Sequence, residues 1–249
     1  MSGRRVATMC PKKRILKENE IKEWYDQWHS ARGRDAWRPY EAYLIFLDYL
    51  SVERRKKILD VGCGTGYFLK AANRNRLVTY GIDVSKEGIK IAKTVSPSSF
   101  ISISKGESLN FVDNTFDYVA CLGSLEHFSD INKGLNEIKR VAKENAIFCI
   151  MVPNVNYIFW KISGQLGTEQ QNVSETLLSL KQWKNIFDKE GFKILKIYQD
   201  KWFMKTINIF SSTDPIETLK RVARKLIWAF LPLNYAYQFI FILEKKQKK

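Results

Sequence analysis

The sequence predicts an α/β fold, a mainly parallel sheet wrapped by helices. Three observations lead there. A run of strand formers, Lys57–Val61, breaks into a glycine turn and then a helix. From there to residue 153, strand-like and helix-like segments alternate, the pattern of parallel strands joined by right-handed crossovers. Two further apolar strand segments follow, separated by a basic helix. A chain of 249 residues with 45% hydrophobic content can bury one such domain with a helical attachment.

Taken in order, residues 1–17 hold six basic residues and no acid and read as a loose basic arm. Residues 18–50 read as helical. Ile21, Trp24, Tyr25 and Trp28 recur at helical spacing. A second helix is expected over Tyr40–Leu50, opened by Pro39, with Ala42, Leu44, Ile45, Leu47 and Leu50 buried. The first strand, Lys57–Val61, runs into Gly62-Cys63-Gly64-Thr65-Gly66, where the glycines permit a tight turn with no side chain to block a ligand. A helix over Tyr67–Asn73 and a strand over Leu77–Ile82 follow, and Asp83 stands at the strand's carboxyl end. Ser85 caps a helix reaching Thr94.

The third strand covers Phe100–Ser104. The fourth, Tyr118–Leu122, delivers Gly123-Ser124-Leu125-Glu126-His127-Phe128. A helix over Ile131–Lys143 points Leu135, Ile138 and Val141 inward, and a fifth strand spans Ala146–Val152. Residues 154–180 are an insertion with Tyr157, Phe159 and Trp160. A helix over Leu180–Glu190 then stops at Gly191. Strands are expected at Phe192–Tyr198 and Tyr237–Leu243.

The net charge of +15 raises nucleic acid as a partner, but the two tails carry nine of those charges, so nucleic acid is disfavoured. Cys10, Cys63, Cys121 and Cys149 are scattered, and the only histidines are His29 and His127. Neither a disulfide framework nor a metal cluster is expected, and a reduced cytoplasmic setting fits. The basic N-terminus leads into no apolar run, so no signal peptide is expected. Leu226–Leu243 is 18 residues without a charge, long enough for a membrane span. Pro232, Asn234 and Gln238 argue instead for a helix end, a turn and a buried strand. Residues 217–230 form an amphipathic helix with Leu219, Val222, Ala223, Leu226 and Phe230 on one face and Lys220, Arg221, Arg224 and Lys225 on its flanks. Packing on its own domain is its first expected use; lying peripherally on an anionic membrane surface is the second.

The glycine turn narrows the ligand. A dinucleotide loop is G-x-G-x-x-G, whereas here the spacing is G-x-G-x-G and Tyr67 occupies the place of the third dinucleotide glycine. Asp60, just ahead of the turn, suits a cationic ligand better than a pyrophosphate. Ile58–Gly66 resembles motif I of the class I S-adenosyl-L-methionine (AdoMet)-dependent methyltransferases, in the type 11 group. Leu109–Asp117 also resembles that group's stretch between strands three and four, while Lys105–Ser108 departs from it.

The resemblance implies a Rossmann-like, seven-stranded, mainly parallel sheet with an antiparallel last strand, helices on both faces and an N-terminal helical lid. It implies one methyltransferase domain over 18–249: a lid (18–50), an AdoMet-binding core (51–153), an acceptor-side insertion and helix (154–191), and C-terminal strands with the inserted basic helix (192–249). It implies AdoMet bound by Asp60, Gly62, Cys63, Gly64 and Gly66 in the turn, and by Asp83 with Val84 at the ribose. Glu107 and the amides near Ser108 would read the adenine. Leu122 and Gly123 would lie by the transferred methyl, and Arg38 would take the AdoMet carboxylate. His127 is the expected general base, with Glu126 beside it. No [ND]-P-P-[YF], Pro-Cys or Asp-Asn signature accompanies strand four, which disfavours nucleic-acid amino, cytosine-C5 and metal-dependent catechol chemistry. The expected acceptor is an oxygen of a small molecule such as a sugar, quinone or lipid-linked intermediate. An RNA or protein N-methyltransferase and a non-catalytic AdoMet-binding domain are the rivals.

Overall fold

Strands β1 (Lys57–Val61), β2 (Val78–Asp83), β3 (Phe100–Ile103), β4 (Phe116–Leu122), β5 (Ala142–Pro153), β6 (Phe192–Gln199) and β7 (Gln238–Lys245) form one sheet in the order β3-β2-β1-β4-β5-β7-β6. The computed structural model describes residues 18–35, 38–163, 167, 173, 175–202 and 214–247. The basic arm, 1–17, lies outside the described residues. Strands β1 to β5 pair in parallel. The final strand, β7, is antiparallel to both β5 and β6. The helices are α1 (Glu18–Arg32), α2 (Leu44–Leu50), α3 (Tyr67–Arg74), α4 (Lys86–Val95), α5 (Ile131–Val141), α6 (Ile158–Ser163), α7 (Leu180–Lys189) and α8 (Pro215–Phe230).

Strand periodicity builds two cores, one on each face of the sheet. Leu59, Val61, Val119, Cys121, Phe148 and Ile150 face one side, where Leu135 and Ile138 of α5 and Trp183 and Phe187 of α7 cover them. Ile58, Tyr118, Ala120, Cys149 and Met151 face the other, under Phe46 and Leu47 of α2 and Phe68 of α3. A doubly covered parallel sheet opens its ligand crevice at the carboxyl ends of its strands, here the ends of β1, β2 and β4.

Four elements differ from expectation. The helix expected over Tyr40–Leu50 is a 3-10 turn, Tyr40–Tyr43, followed by α2. The tighter turn rotates the α-helical part, so Phe46 is buried against Phe68 and Leu44 is exposed. The fifth strand starts at Ala142, four residues early, because Ala142 pairs with Phe116 before a register shift. A short helix, α6, stands in the insertion. The fourth difference is α8, whose Ile216, Leu219, Leu226, Ile227 and Phe230 are exposed, while Trp228 is buried. Own-domain packing of that helix therefore rests on Trp228 rather than on the predicted face. The uncharged run from Leu226 ends α8, passes through a 3-10 turn at Leu233–Tyr235 and enters β7. Among the described residues no helix is long and apolar enough to cross a membrane.

The lid is fastened by polar contacts. Ser85 Oγ accepts from Gly88 N (2.9 Å), capping α4, and donates to Asp26 Oδ1 of α1 (2.7 Å). His29 Nδ1 meets the same hydroxyl at 3.1 Å, and His29 is buried. One serine thus starts α4 and holds α1 across the mouth of the crevice.

Candidate active site

The crevice is a cleft of about 870 Å³ between the carboxyl ends of the strands and α1. Gly62, Cys63 and Gly64 line it, and the amides of Gly62 and Cys63 both donate to Ile82 O (2.9 and 2.8 Å). Gly62 is required for a reason the sequence did not reveal. Its φ is +80°, and a Cβ there would lie 2.2 Å from Ser124 Oγ, so the β4 loop can approach only a glycine. Gly66, also at positive φ, packs on Ala92 at the start of α3 and does not line the cleft.

Asp83 is held by two backbone donors: Gly64 N to Oδ2 and Ser85 N to Oδ1, both 2.8 Å. Each oxygen keeps a second lone-pair site. Burial pushes its carboxyl up, while the Ser85 N–H and His29 pull it back down. Asp60 is 2% exposed, and among the described residues its Oδ1 has no hydrogen-bond partner. Burial, with Asp83 nearby, pushes Asp60 up to about 8. Arg38 donates through Nη2 to Asp200 Oδ2 (2.5 Å) and Gln238 Oε1 (2.6 Å), leaving a buried Nη1 without a partner among the described residues. One cleft therefore offers a lone carboxylate oxygen and a lone guanidinium nitrogen, a complement to an α-amino acid zwitterion.

Glu107 lines the cleft beside Lys105 and Gly106, with Oε1 accepting from Ser129 N and Oγ (2.8 and 2.9 Å). Ser108 stands apart from the other residues of this group. It does not line the cleft, and its amide is spent on Lys105 O (3.2 Å) in a tight turn. Val84, Leu122 and Gly123 do line it.

Beyond β4, a 3-10 turn over Leu125–His127 carries Glu126 and His127 into the cleft. Glu126 is 2% exposed and its Oε2 has no partner among the described residues. Burial, then Glu175, push its carboxyl up to about 8. The chain returns to this turn because Thr176 N donates to Glu126 O (2.8 Å), which sets Glu175 beside it, also buried. Glu126, His127 and Glu175 each offer an atom, all within 4.8 Å of one another. The expectation of no metal-ligand cluster counted histidines and cysteines, and Glu175 is too far along the chain for any short motif to reveal. Asp200 and Gln238 were missed for the same reason. An acid just past the carboxyl end of β6 was the available signal for Asp200. Tyr157, Trp228 and Tyr237 form an aromatic wall, with Tyr157 ring centroids 5.6 Å from Trp228 and 5.1 Å from Tyr237.

Asp60 sets a pH dependence. An unfolded aspartate loses its proton near 3.8, whereas the folded one keeps it to about 8. Between those values the folded state binds more protons, so stability falls as pH rises, by up to about 1.4 kcal/mol per unit. Glu126 adds in the same sense. The ligand-free protein is expected to melt higher at about pH 5 than at about pH 8. Asp60→Asn is expected to flatten that trend and raise the melting temperature at the alkaline end. A wild-type melting temperature that climbs over this range, or a variant that melts lower at the alkaline end, contradicts the assignment.

Residues 59–150 match the model of a methyltransferase domain. Over 216 residues the chain is 27% identical to an uncharacterised protein of Methanocaldococcus jannaschii, covering 84% of this chain and 78% of that one. It is 28% identical to a malonyl-[acyl-carrier protein] O-methyltransferase of Buchnera aphidicola, covering 74% and 81%. Among solved structures it resembles a Haemonchus contortus phosphoethanolamine N-methyltransferase bound to S-adenosylhomocysteine, with TM-score 0.68, 17% identity and coverage of 93% and 61%. It also resembles the [4+2]-cyclase SpnF, with TM-score 0.66, 17% identity and coverage of 94% and 98%. At these identities the structural matches speak to the fold, which hosts more than one chemistry.

Proposed function

Because the chain is a class I S-adenosylmethionine-dependent methyltransferase of the type 11 group, we propose that it methylates an oxygen of a small molecule: a sugar, a quinone or a lipid-linked intermediate. The observation that carries the cofactor assignment is the pair of unpartnered buried atoms, Asp60 Oδ1 and Arg38 Nη1. They match the ammonium and carboxylate of AdoMet. Asp83 would hold the ribose hydroxyls with its remaining lone pairs, with Val84 alongside, and the free oxygen of Glu107 would take the adenine amino group. Gly62, Cys63, Gly64, Leu122 and Gly123 supply close backbone walls. When bound, AdoMet supplies a methyl group on a sulfonium, with a neutral thioether as the leaving group.

The protein's own residues must do two further things. They must place the acceptor, since orientation supplies much of the rate for such a displacement. The aromatic wall of Tyr157, Trp228 and Tyr237 suits that task. They must also manage the proton that a hydroxyl sheds, and Glu126 and His127 are the titratable pair in the cleft beyond β4. The exposed apolar stripe on α8 favours the lipid-linked end of the acceptor range, because Trp228 of the same helix lines the cleft.

The test is transfer of isotope-labelled methyl from AdoMet to aqueous and lipid extracts, preceded by calorimetry with AdoMet. The expected result is saturable AdoMet binding and label on a hydroxyl-derived methyl ether or ester. No AdoMet binding would sink the cofactor assignment, and label on an amine or on macromolecules would replace the acceptor reading.

A further inference from the structure

We propose that Glu126, His127 and Glu175 form a site for one divalent cation in the cleft beyond β4. The proposal rests on the hydroxyl-acceptor reading above and deepens it, since such a cation would take the acceptor oxygen as a further ligand.

Two observations point there. The first is the constellation: two carboxylates and one imidazole with ligand atoms within 4.8 Å of one another, all three residues buried. Ligands on one ion at bond lengths of about 2.1 Å sit roughly 3 to 4 Å apart, so a small inward adjustment closes the set. The second is independent of that spacing. Glu126 Oε2 is buried without a hydrogen-bond partner among the described residues, although the residue is 2% exposed. A buried carboxyl oxygen without a partner is costly, and ionising it beside a second carboxyl group adds repulsion. A cation removes both costs.

The scaffold supports a defined site. Glu126 and His127 sit on a 3-10 turn fixed by His127 N to Ser124 O (3.0 Å). Glu175 is brought in by the Thr176 N to Glu126 O bond, and the chain just beyond it is held by Val155 N to Leu178 O (3.2 Å). A mixed oxygen and nitrogen donor set suits manganese or zinc better than calcium. In this arrangement His127 is a ligand in place of its expected role as base. The cation would lower the pKa of a coordinated acceptor hydroxyl, whose proton then passes to bulk water.

The experiment is titration of the full chain with Mn2+ alone, followed by electron paramagnetic resonance, and separately with Zn2+ alone by calorimetry. AdoMet affinity is measured on the same samples. The expected result is one ion per chain, weakened about tenfold or more in Glu175→Gln, with AdoMet affinity unchanged in that variant. Binding of neither ion, or equal binding by wild type and Glu175→Gln, overturns the site. Wild-type protein that binds the ion but not AdoMet would retain the site and reject the methyltransferase reading, so the two fail separately.

Discussion

Replacing Asp83 by alanine is expected to weaken AdoMet binding by roughly 10²- to 10⁴-fold while the fold survives. Two charge-assisted hydrogen bonds to ribose hydroxyls are each worth about 1.5–3 kcal/mol, and each 1.4 kcal/mol is a factor of ten. The fold survives because Gly64, one of the two residues whose amides Asp83 holds, borders the cleft, where water can replace the lost acceptor, which leaves the buried Ser85 amide as the main structural cost. A fall in stability of about 1–3 kcal/mol accompanies the loss. Asp83→Asn, which keeps one acceptor oxygen, should fall between wild type and alanine. Calorimetry for affinity and thermal melting for the fold separate the two effects. An Asp83→Ala protein that binds AdoMet within threefold of wild type would refute the ribose role.

The second large effect is on turnover. His127→Ala is expected to lower kcat by about 10²- to 10⁴-fold, with AdoMet affinity unchanged. His127 stands on the loop after β4, on a different element from Asp60, Asp83 and Arg38, the residues proposed to hold the cofactor. The loss follows whether the ring takes the acceptor's proton or holds a cation that acidifies it. Added Mn2+ distinguishes these: it should raise wild-type turnover under the ligand role and leave it unchanged under the base role. Single-turnover rates with the identified acceptor provide the readout. A His127→Ala enzyme within threefold of wild-type kcat removes His127 from the chemistry altogether.

What was legible in the sequence was what short spacing encodes. The strand–turn–helix at Lys57–Phe68 announced itself because three glycines and one acid stand within seven residues, and strand β1, its turn and helix α3 lie where expected. Asp83 was readable because a strand's carboxyl end followed by a capping serine is a local pattern. Side chains that meet across the fold were not readable. Arg38 with Asp200 and Gln238 spans 162 and 200 residues, and no periodicity connects them. The tight turn that engages the Ser108 amide was not readable either, because only the backbone path shows it. The α8 stripe was seen, but its direction was not. Amphipathicity reports that a face is apolar, and only the neighbouring elements decide what it faces.

The position of β7 has a consequence for how the molecule is made. It lies between β5 and β6, although it follows both in the chain. During synthesis β6 emerges with no strand to pair with and must wait for β7 to enter the gap, a non-local step of the kind that slows folding. Gln238, the first residue of β7, is also a partner of Arg38, and its carbonyl accepts from Asp200 N (3.1 Å). The Arg38–Asp200–Gln238 clamp is thus assembled by the insertion that completes the sheet. A chain stalled before that step would hold its glycine turn and Asp83 in place yet lack a positioned Arg38. Acquisition of ligand affinity during refolding would then report the arrival of the last strand.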